Sequence, residues 1–196
     1  MNVKIITGLI SLIIITSMLI FSGCVEEDTQ SQIEPPQKTA TKEPFELALQ
    51  LSDFSSNFTI KERTERVKSD ISPEGLDIGW KKGYYVRFAR IGDVLLDVTV
   101  VEQYISIYPT ENITKAITLP YLNTEYITYE ELSKPNIGDD SRAYRITVKD
   151  EYDSEERVYM IEFIKLDVYE SFYIRGTTTD YELLRDIAMK AESRID

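Results

Sequence analysis

Residues 5–21 form an almost unbroken run of Ile, Leu, Thr, Ser and Met, and the chain's only cysteine, Cys24, follows directly after Ser22 and Gly23. This pairing constrains the fold more than any other feature. It separates a segment that partitions into lipid from a remainder that must build its core without a single disulfide. Lys4 is the one charge ahead of Cys24. A basic start, an apolar run and small residues at its exit are the layout of a secretory signal. Residues 1–23 are therefore expected to be a signal peptide, with the rest of the chain outside the membrane.

The segment Leu19-Ile20-Phe21-Ser22-Gly23-Cys24 resembles a lipobox, the recognition site for lipid transfer to a cysteine thiol, with Phe21 standing where Leu is usual. The resemblance implies a mature N-terminus at Cys24 that partners membrane lipid on the external face of the cell membrane. One acyl chain holds a protein only marginally, so stable anchoring implies two or more. A competing reading is an uncleaved single-pass anchor, since residues 5–21 reach the short end of what spans a hydrocarbon core of roughly 30 Å. Against it, the first basic residue after the run is Lys38, too distant for a stop-transfer signal. Residues 24–44 carry almost no apolar side chains and are expected to be a flexible tether. Residues 45–196 are expected to form one domain.

Charge and residue types narrow the chemistry. Acidic residues number 34 against 22 basic ones, a net charge of −12 that repels nucleic acid. Histidine is absent and the sole thiol is the lipidation site. Ser-His-Asp and Cys-His catalysis, imidazole or thiolate zinc sites, haem and iron–sulfur ligation are excluded by residue type. No cofactor and no enzymatic activity are expected. Stability must come from a core, for which thirteen tyrosines and seven phenylalanines supply the bulk.

Alternating patterns predict a series of strands. Residues 45–54 are ambiguous between strand and helix, and 58–67 read as a charged edge strand. Tyr84, Val86 and Phe88 share one face of a strand over 84–91. Gly92-Asp93 turns into a long strand over 94–108, where Leu96, Val98 and Val100 alternate with polar residues until the phase is lost near Glu102, the mark of a bulge. A short helix is expected from Pro109 to Ile117, with Pro120 ending it, and a short strand at 126–129. Three strands follow. Their core sides are Tyr144, Ile146 and Val148; then Tyr159, Ile161 and Phe163; then Phe172 and Ile174. Thr179 and Glu182 match a capping box for a closing helix, whose Leu184, Ile187, Ala188, Ala191 and Ile195 form one apolar stripe. An antiparallel meander with a helix on one face is an α+β fold.

Ile137-Gly138-Asp139-Asp140-Ser141-Arg142-Ala143, Tyr159-Met160-Ile161-Glu162-Phe163-Ile164-Lys165 and Ile174-Arg175-Gly176 with the closing helix resemble a pattern in prokaryotic lipoproteins and PsbP/Mog1-like domains. The resemblance covers roughly residues 80–195. It implies an antiparallel sheet with flanking helices in a superfamily of binding and assembly factors, and it transfers no catalytic residue.

Several residue groups are candidate sites. Asp139, Asp140 and Ser141 after Gly138 read as an Asx-type turn rather than a cation loop. Asp150, Asp153, Glu155 and Glu156 crowd a hairpin as a weak calcium candidate, more simply a solvated acidic turn. Trp80, Tyr84 and Tyr85, with Tyr104 and Tyr108, are candidates for an aromatic groove taking a sugar or peptide. Asn57 and Asn112 begin N-glycosylation sequons. The function expected is a surface-tethered, non-catalytic binding or assembly module for a surface protein or glycan. The alternatives are a carboxylate-based hydrolase of envelope glycan, for which no pair among the acidic residues stands out, and a membrane-anchored structural protein.

Overall fold

The period-two patterns resolve into seven strands in a computed structural model of the chain, which describes residues 38–54, 57–92, 98–118, 121, 123–152, 154–177 and 179–196. The strands are β1 (Phe58–Arg66), β2 (Lys82–Ile91), β3 (Val98–Ile107), β4 (Ile127–Glu131), β5 (Asp140–Lys149), β6 (Glu155–Lys165) and β7 (Val168–Gly176). Among the described residues four short α-helices accompany them: α1 (Pro44–Leu47), α2 (Pro73–Ile78), α3 (Ile113–Ile117) and α4 (Tyr181–Glu192). The architecture is α+β, one antiparallel sheet in the order β1-β2-β3-β7-β6-β5-β4. Cys24, the signal segment and the tether as far as residue 37 lie outside the described residues, as do Leu96 and Asp153.

Two meanders, β1-β2-β3 and β4-β5-β6-β7, meet along β3 and β7. Their register sets Val101 against Ile174, Gln103 against Phe172 and Ile105 against Glu170 on one face. On the other face Glu102 pairs with Tyr173, Tyr104 with Ser171 and Ser106 with Tyr169. The first face carries the main core, in which Val86, Phe88, Val101, Ile161, Phe163 and Phe172 are fully buried. Each such side chain contributes about 1.5–3 kcal/mol relative to exposure. Helix α4 covers this face through Leu184, Ile187, Ala188 and Ala191. Its cap is Asp180 rather than Thr179: the Asp180 carboxylate accepts from the Glu182 N–H at 2.9 Å. A carboxylate there also meets the positive end of the helix dipole, which a threonine hydroxyl does not.

The segment leading into β1 covers the rest of the face. Leu47 and Leu49 are fully buried. Gln103 locks them in place: its side-chain oxygen accepts from the Leu49 N–H at 2.9 Å and its Nε2 donates to Glu170 at 2.7 Å. Arg194 near the C-terminus pairs with Asp53 at 2.6 Å. Residues ahead of Phe45 also contact the domain. The Ala40 N–H donates to Asp167 at 2.7 Å and Lys42 pairs with Asp196 at 2.9 Å. The stretch 40–44, polar enough to read as tether, is held by backbone hydrogen bonding and ion pairing, which hydropathy does not register.

Three expectations are corrected by the register. No bulge interrupts β3, which pairs without a shift to β2 and β7. The alternation fails there because Gln103 is a polar residue facing the core. The irregularity lies in β1, between Ile60 and Glu62. At the start of β3, Thr99 is buried whereas Val98 is exposed and Val100 half-buried, the reverse of the expected phase. Tyr144 and Ile146 are buried as expected, but on the face opposite to Ile161, whose partner is Ala143. Both faces of the central strands are covered, so hydrophobicity alone does not say which side a residue points to.

Glu170 is fully buried and its Oε1 has no hydrogen-bond partner among the described residues. Burial pushes its carboxyl up to about 8, against which the Gln103 amide and Arg194 pull. Above the ordinary value of 4.5 the unfolded chain releases a proton that the folded chain keeps. Stability from this group is therefore full below that value, falls as pH rises towards about 8, and levels off above it. Urea unfolding across this window should show a falling limb of up to about 1.4 kcal/mol per pH unit. Glu170→Gln should flatten it; an unchanged slope in the variant would assign the proton to another group.

Candidate functional site

The second face of the sheet is built from tyrosines. Strict alternation along β3 and β7 projects Tyr104, Ser106, Tyr169, Ser171 and Tyr173 to the same side. With α2 and the turn before it on one flank, and α3 and Tyr121 on another, they enclose a pocket of about 710 Å³. That volume lies within the roughly 300–1,000 Å³ of pockets that hold small molecules.

Local sequence explains how the flanks are placed. Ser72 caps α2, its hydroxyl accepting from the Gly75 N–H at 3.2 Å, and Pro73 occupies the first helical turn. Gly79 ends the helix in a left-handed conformation, φ 100°. A small second core of Ile78, Trp80, Tyr108, Ile113, Ile117 and Ile164 fastens α2 and α3 to the sheet. The Trp80 indole donates to Ser106 Oγ at 3.3 Å, an approach open because Gly83 stands opposite Ser106. A Cβ on Gly83 would lie 2.4 Å from the Ile105 carbonyl oxygen and 3.3 Å from the indole nitrogen.

Beneath the pocket lies Glu162 of β6, 1% exposed. Its Oε2 accepts from the hydroxyls of Tyr169 at 2.7 Å and Tyr121 at 2.8 Å, tying two pocket-lining side chains to one point. Burial raises the Glu162 carboxyl, while the two hydroxyls and Arg142, with Nη1 3.9 Å from Oε1, pull it back down. Burial also pushes the hydroxyls of Tyr104, Tyr108, Tyr121, Tyr169 and Tyr173 upward, so all five stay protonated near neutral pH. Edge-to-face pairs, Tyr104 with Tyr173 at 5.7 Å and Tyr108 with Tyr169 at 6.3 Å, set the ring orientations.

Arg66, the last residue of β1, brings a guanidinium into this aromatic surround. It lies 5.3 Å from the centre of the Tyr104 ring, donates from Nη1 to Ser106 Oγ at 2.9 Å and from Nη2 to the Asp70 carbonyl at 3.2 Å. Burial lowers its pKa, but a guanidinium stays charged at any physiological pH. The carboxylates in the lining are largely occupied. Glu102 accepts from Tyr85 at 2.6 Å and lies 3.8 Å from Arg175, while Asp70 accepts from the Val67 N–H at 2.9 Å.

The structure divides the aromatic set picked out in the sequence. Tyr104 and Tyr108 line the pocket. Tyr85 is adjacent, its ring 4.7 Å from Tyr104 and its hydroxyl on Glu102. Trp80 is buried in the small core, and Tyr84 projects to the opposite face against the main core, so these residues form no common groove with Tyr85. Trp80 and Tyr84 instead border a smaller groove of about 470 Å³ with Phe45, Val67 and Lys82. Arg66, Tyr121, Tyr169 and Tyr173 carry no local sequence signal that marks a site. Helix α2 does carry one for its bounds, since Ser72-Pro73 followed by Gly79 is a readable start and stop signal.

Gly138, Asp139, Asp140, Ser141, Asp150 and Glu155 make contacts within the fold. Gly138 has φ 64°, and a Cβ there would lie 2.3 Å from the Ile164 carbonyl oxygen. Asp139 accepts from the Leu166 N–H at 2.9 Å, Ser141 from the Ile137 N–H at 3.1 Å, and Asp140 pairs with Lys134 at 2.5 Å. Asp150 accepts from the N–H groups of Tyr152 and Ser154, both at 2.9 Å, and Glu155 pairs with Lys149 at 3.3 Å. Glu156 is exposed. Among the described residues, no group of three or more acidic, Cys or His side chains is placed to hold a metal ion. No described helix is long and apolar enough to cross a membrane. Asn57 is exposed with φ 86°, whereas Asn112 is half-buried and accepts from Lys115 at 2.8 Å.

No family model matches the chain, and no curated protein matches it. Two solved structures are similar to it. One is the extracellular domain of PknH from Mycobacterium tuberculosis, at 12% identity and a TM-score of 0.49, covering 75% of this chain and 93% of that one. The other is a putative uncharacterized protein from Mycobacterium smegmatis, also at 12% identity and a TM-score of 0.49, covering 82% of this chain and 98% of that one.

The shared acceptor under the pocket makes a prediction. Tyr121→Phe and Tyr169→Phe each remove one donor from buried Glu162 and should each lower the unfolding free energy by about 1–3 kcal/mol. Removing both leaves the carboxylate with no hydroxyl donor and drives it to protonate. The double variant should then depart from the sum of the singles by about 0.5 kcal/mol or more in urea unfolding. Strict additivity would show that the two hydroxyls act independently.

Proposed function

We propose that the chain is a surface-tethered, non-catalytic lipoprotein whose folded domain is a binding or assembly module admitting its ligand at the tyrosine pocket. The observation that carries this reading is the pocket itself. Its side chains are chiefly aromatic faces and neutral hydroxyls around Arg66, and two of its acidic groups, Asp70 and Glu102, are engaged in hydrogen bonds within the fold. Such a surface grips a ring or a short chain by stacking and hydrogen bonding. We read the sheet with its closing helix as PsbP/Mog1-like, on the strength of the resemblance in β5–β7 and the antiparallel order of these strands.

The alternative is a carboxylate hydrolase, which needs two carboxyl groups facing each other across the scissile bond. Among the described residues lining the pocket, Asp70, Glu74 and Glu102 are the acids. Asp70 is turned into its own turn and Glu102 is shared by Tyr85 and Arg175, an arrangement that favours binding.

The anchor is tested in the native host. Intact-mass analysis of membrane fractions should find a mature N-terminus at Cys24 bearing lipid, and Cys24→Ser should remove the chain from the lipid-modified pool. A retained 1–23 segment in the wild-type protein would favour the uncleaved anchor. The binding role is tested with the full chain in mild detergent against fractionated envelope glycans and purified surface proteins of the host. Tyr104→Ala and Tyr173→Ala should each weaken capture by about tenfold or more, whereas Tyr152→Ala, at a position 82% exposed and away from the pocket lining, should not. Equal capture by all four proteins would remove the pocket from the function. Turnover of an envelope glycan abolished by Glu102→Gln would establish the hydrolase instead.

A further inference from the structure

We infer that the pocket selects a compact ligand carrying one carboxylate on a six-membered ring, and that Arg66 is the residue that reads the charge. The inference rests on the pocket being the ligand site, as proposed above.

Arg87, Arg145, Arg175 and Arg194 each lie within 4 Å of a carboxylate, as do Lys82 and Lys165. Arg66 has no carboxylate within 4 Å among the described residues. Its partners are the Ser106 hydroxyl, the Asp70 backbone carbonyl and the face of Tyr104. Arg63 and Arg90, on β1 and β2, also have neutral partners only, but Arg66 is the one cation among the described residues that line the pocket. The nearest acid is turned away by its own backbone: the Asp70 carboxylate accepts from the Val67 N–H at 2.9 Å and the Ser69 hydroxyl at 3.5 Å. A guanidinium offers five N–H donors in a planar fork. Two of its nitrogens are satisfied here by neutral oxygens, which stabilise the charge far less than an oxyanion does. Burial disfavours the charged form. A ligand carboxylate is the group that completes this environment, in the bidentate geometry that Arg favours over Lys.

The rest of the pocket specifies the body that carries the carboxylate. Tyr104, Tyr121, Tyr169 and Tyr173 present ring surface, and the hydroxyls of Tyr121 and Tyr169 are already donated to Glu162. What remains is flat and weakly polar, suited to stacking, with Ser106 and Ser171 at the β3–β7 seam. Glu74 stands exposed on α2 at the margin, and Glu102 is shared between Tyr85 and Arg175. These acids line the same pocket as Arg66, and their repulsion grows with ligand charge, so it weighs more on a polyanion than on a single carboxylate. Two sources share this chemistry: a uronate sugar and an aryl carboxylate.

The test is calorimetric titration of the full chain with three probes: a methyl glucuronide, benzoate and methyl glucoside as the neutral match to the first. The expected result is binding of at least one acidic probe about tenfold or more tighter than the glucoside, weakening as salt is raised. Preference for the glucuronide assigns a glycan source, and preference for benzoate an aryl one. Arg66→Ala should abolish the discrimination and Arg66→Lys should keep a fraction of it, a charge without the fork. Lys61→Ala, an exposed cation on the same strand, should change nothing. Near-equal melting temperatures of the Lys and Ala variants separate lost recognition from lost folding. Equal affinity for the glucuronide and the glucoside, with Arg66→Ala indifferent, overturns the charge reading, as does failure of all three probes to bind. In either case the capture by Tyr104→Ala described above decides separately whether the pocket itself survives as the ligand site.

Discussion

The pairing of β3 with β7 is the contact on which the molecule depends. It joins residues 98–107 to 168–176, and it is the one seam at which the two meanders become a single sheet. Each meander alone would leave a long edge and two uncovered faces. Once the seam closes, β3, β7 and β6 lie at the centre and both of their faces are covered. The same register that aligns Val101 with Ile174 in the core aligns Tyr104 with Ser171 in the pocket. Stability and site are thus two sides of one set of hydrogen bonds. A slip of a single residue would exchange them.

The two faces carry polar groups of different kinds. On the α4 side, Gln103 and Glu170 form a closed contact in an apolar surround, and the backbone of Leu49 is fastened to it. The carboxyl there is held neutral by burial up to about 8, so it behaves as a neutral hydrogen-bonding group over most of the physiological range. On the pocket side, Glu162 receives two tyrosine hydroxyls and lies near Arg142. That network supports a surface instead of filling a core, and it presents ring faces because the hydroxyls are drawn downward. In a buried network of this kind the worth of each hydrogen bond depends on the others.

Much of this was legible in the chain. β2, β5, β6 and β7 follow from alternation, and the apolar stripe of α4 from its spacing, because both signals are local. The Gly138 turn and the Asp150 hairpin follow from turn chemistry for the same reason. The failures are equally physical. Gln103 erased the alternation of β3 because its partners, Leu49 and Glu170, lie 54 and 67 residues away. Trp80, Tyr84 and Tyr85 looked like one aromatic group because they are close in sequence, yet the pleat sends Tyr84 and Tyr85 to opposite faces. Arg66 passed as one more charge on an edge strand, since nothing near it in sequence reveals Tyr104 and Ser106.

The sequence by itself determined the residue types available: an apolar run ending at Cys24, no histidine, no second cysteine, an acidic surface and a surplus of tyrosine. These set the chemistry that is excluded and the class of fold, since exclusion and periodicity need no knowledge of distant contacts. Only the tertiary structure decided which tyrosines became core and which became pocket, and which cation came to line that pocket. Those outcomes depend on strand order and register, and both are set by pairing between segments far apart in the chain.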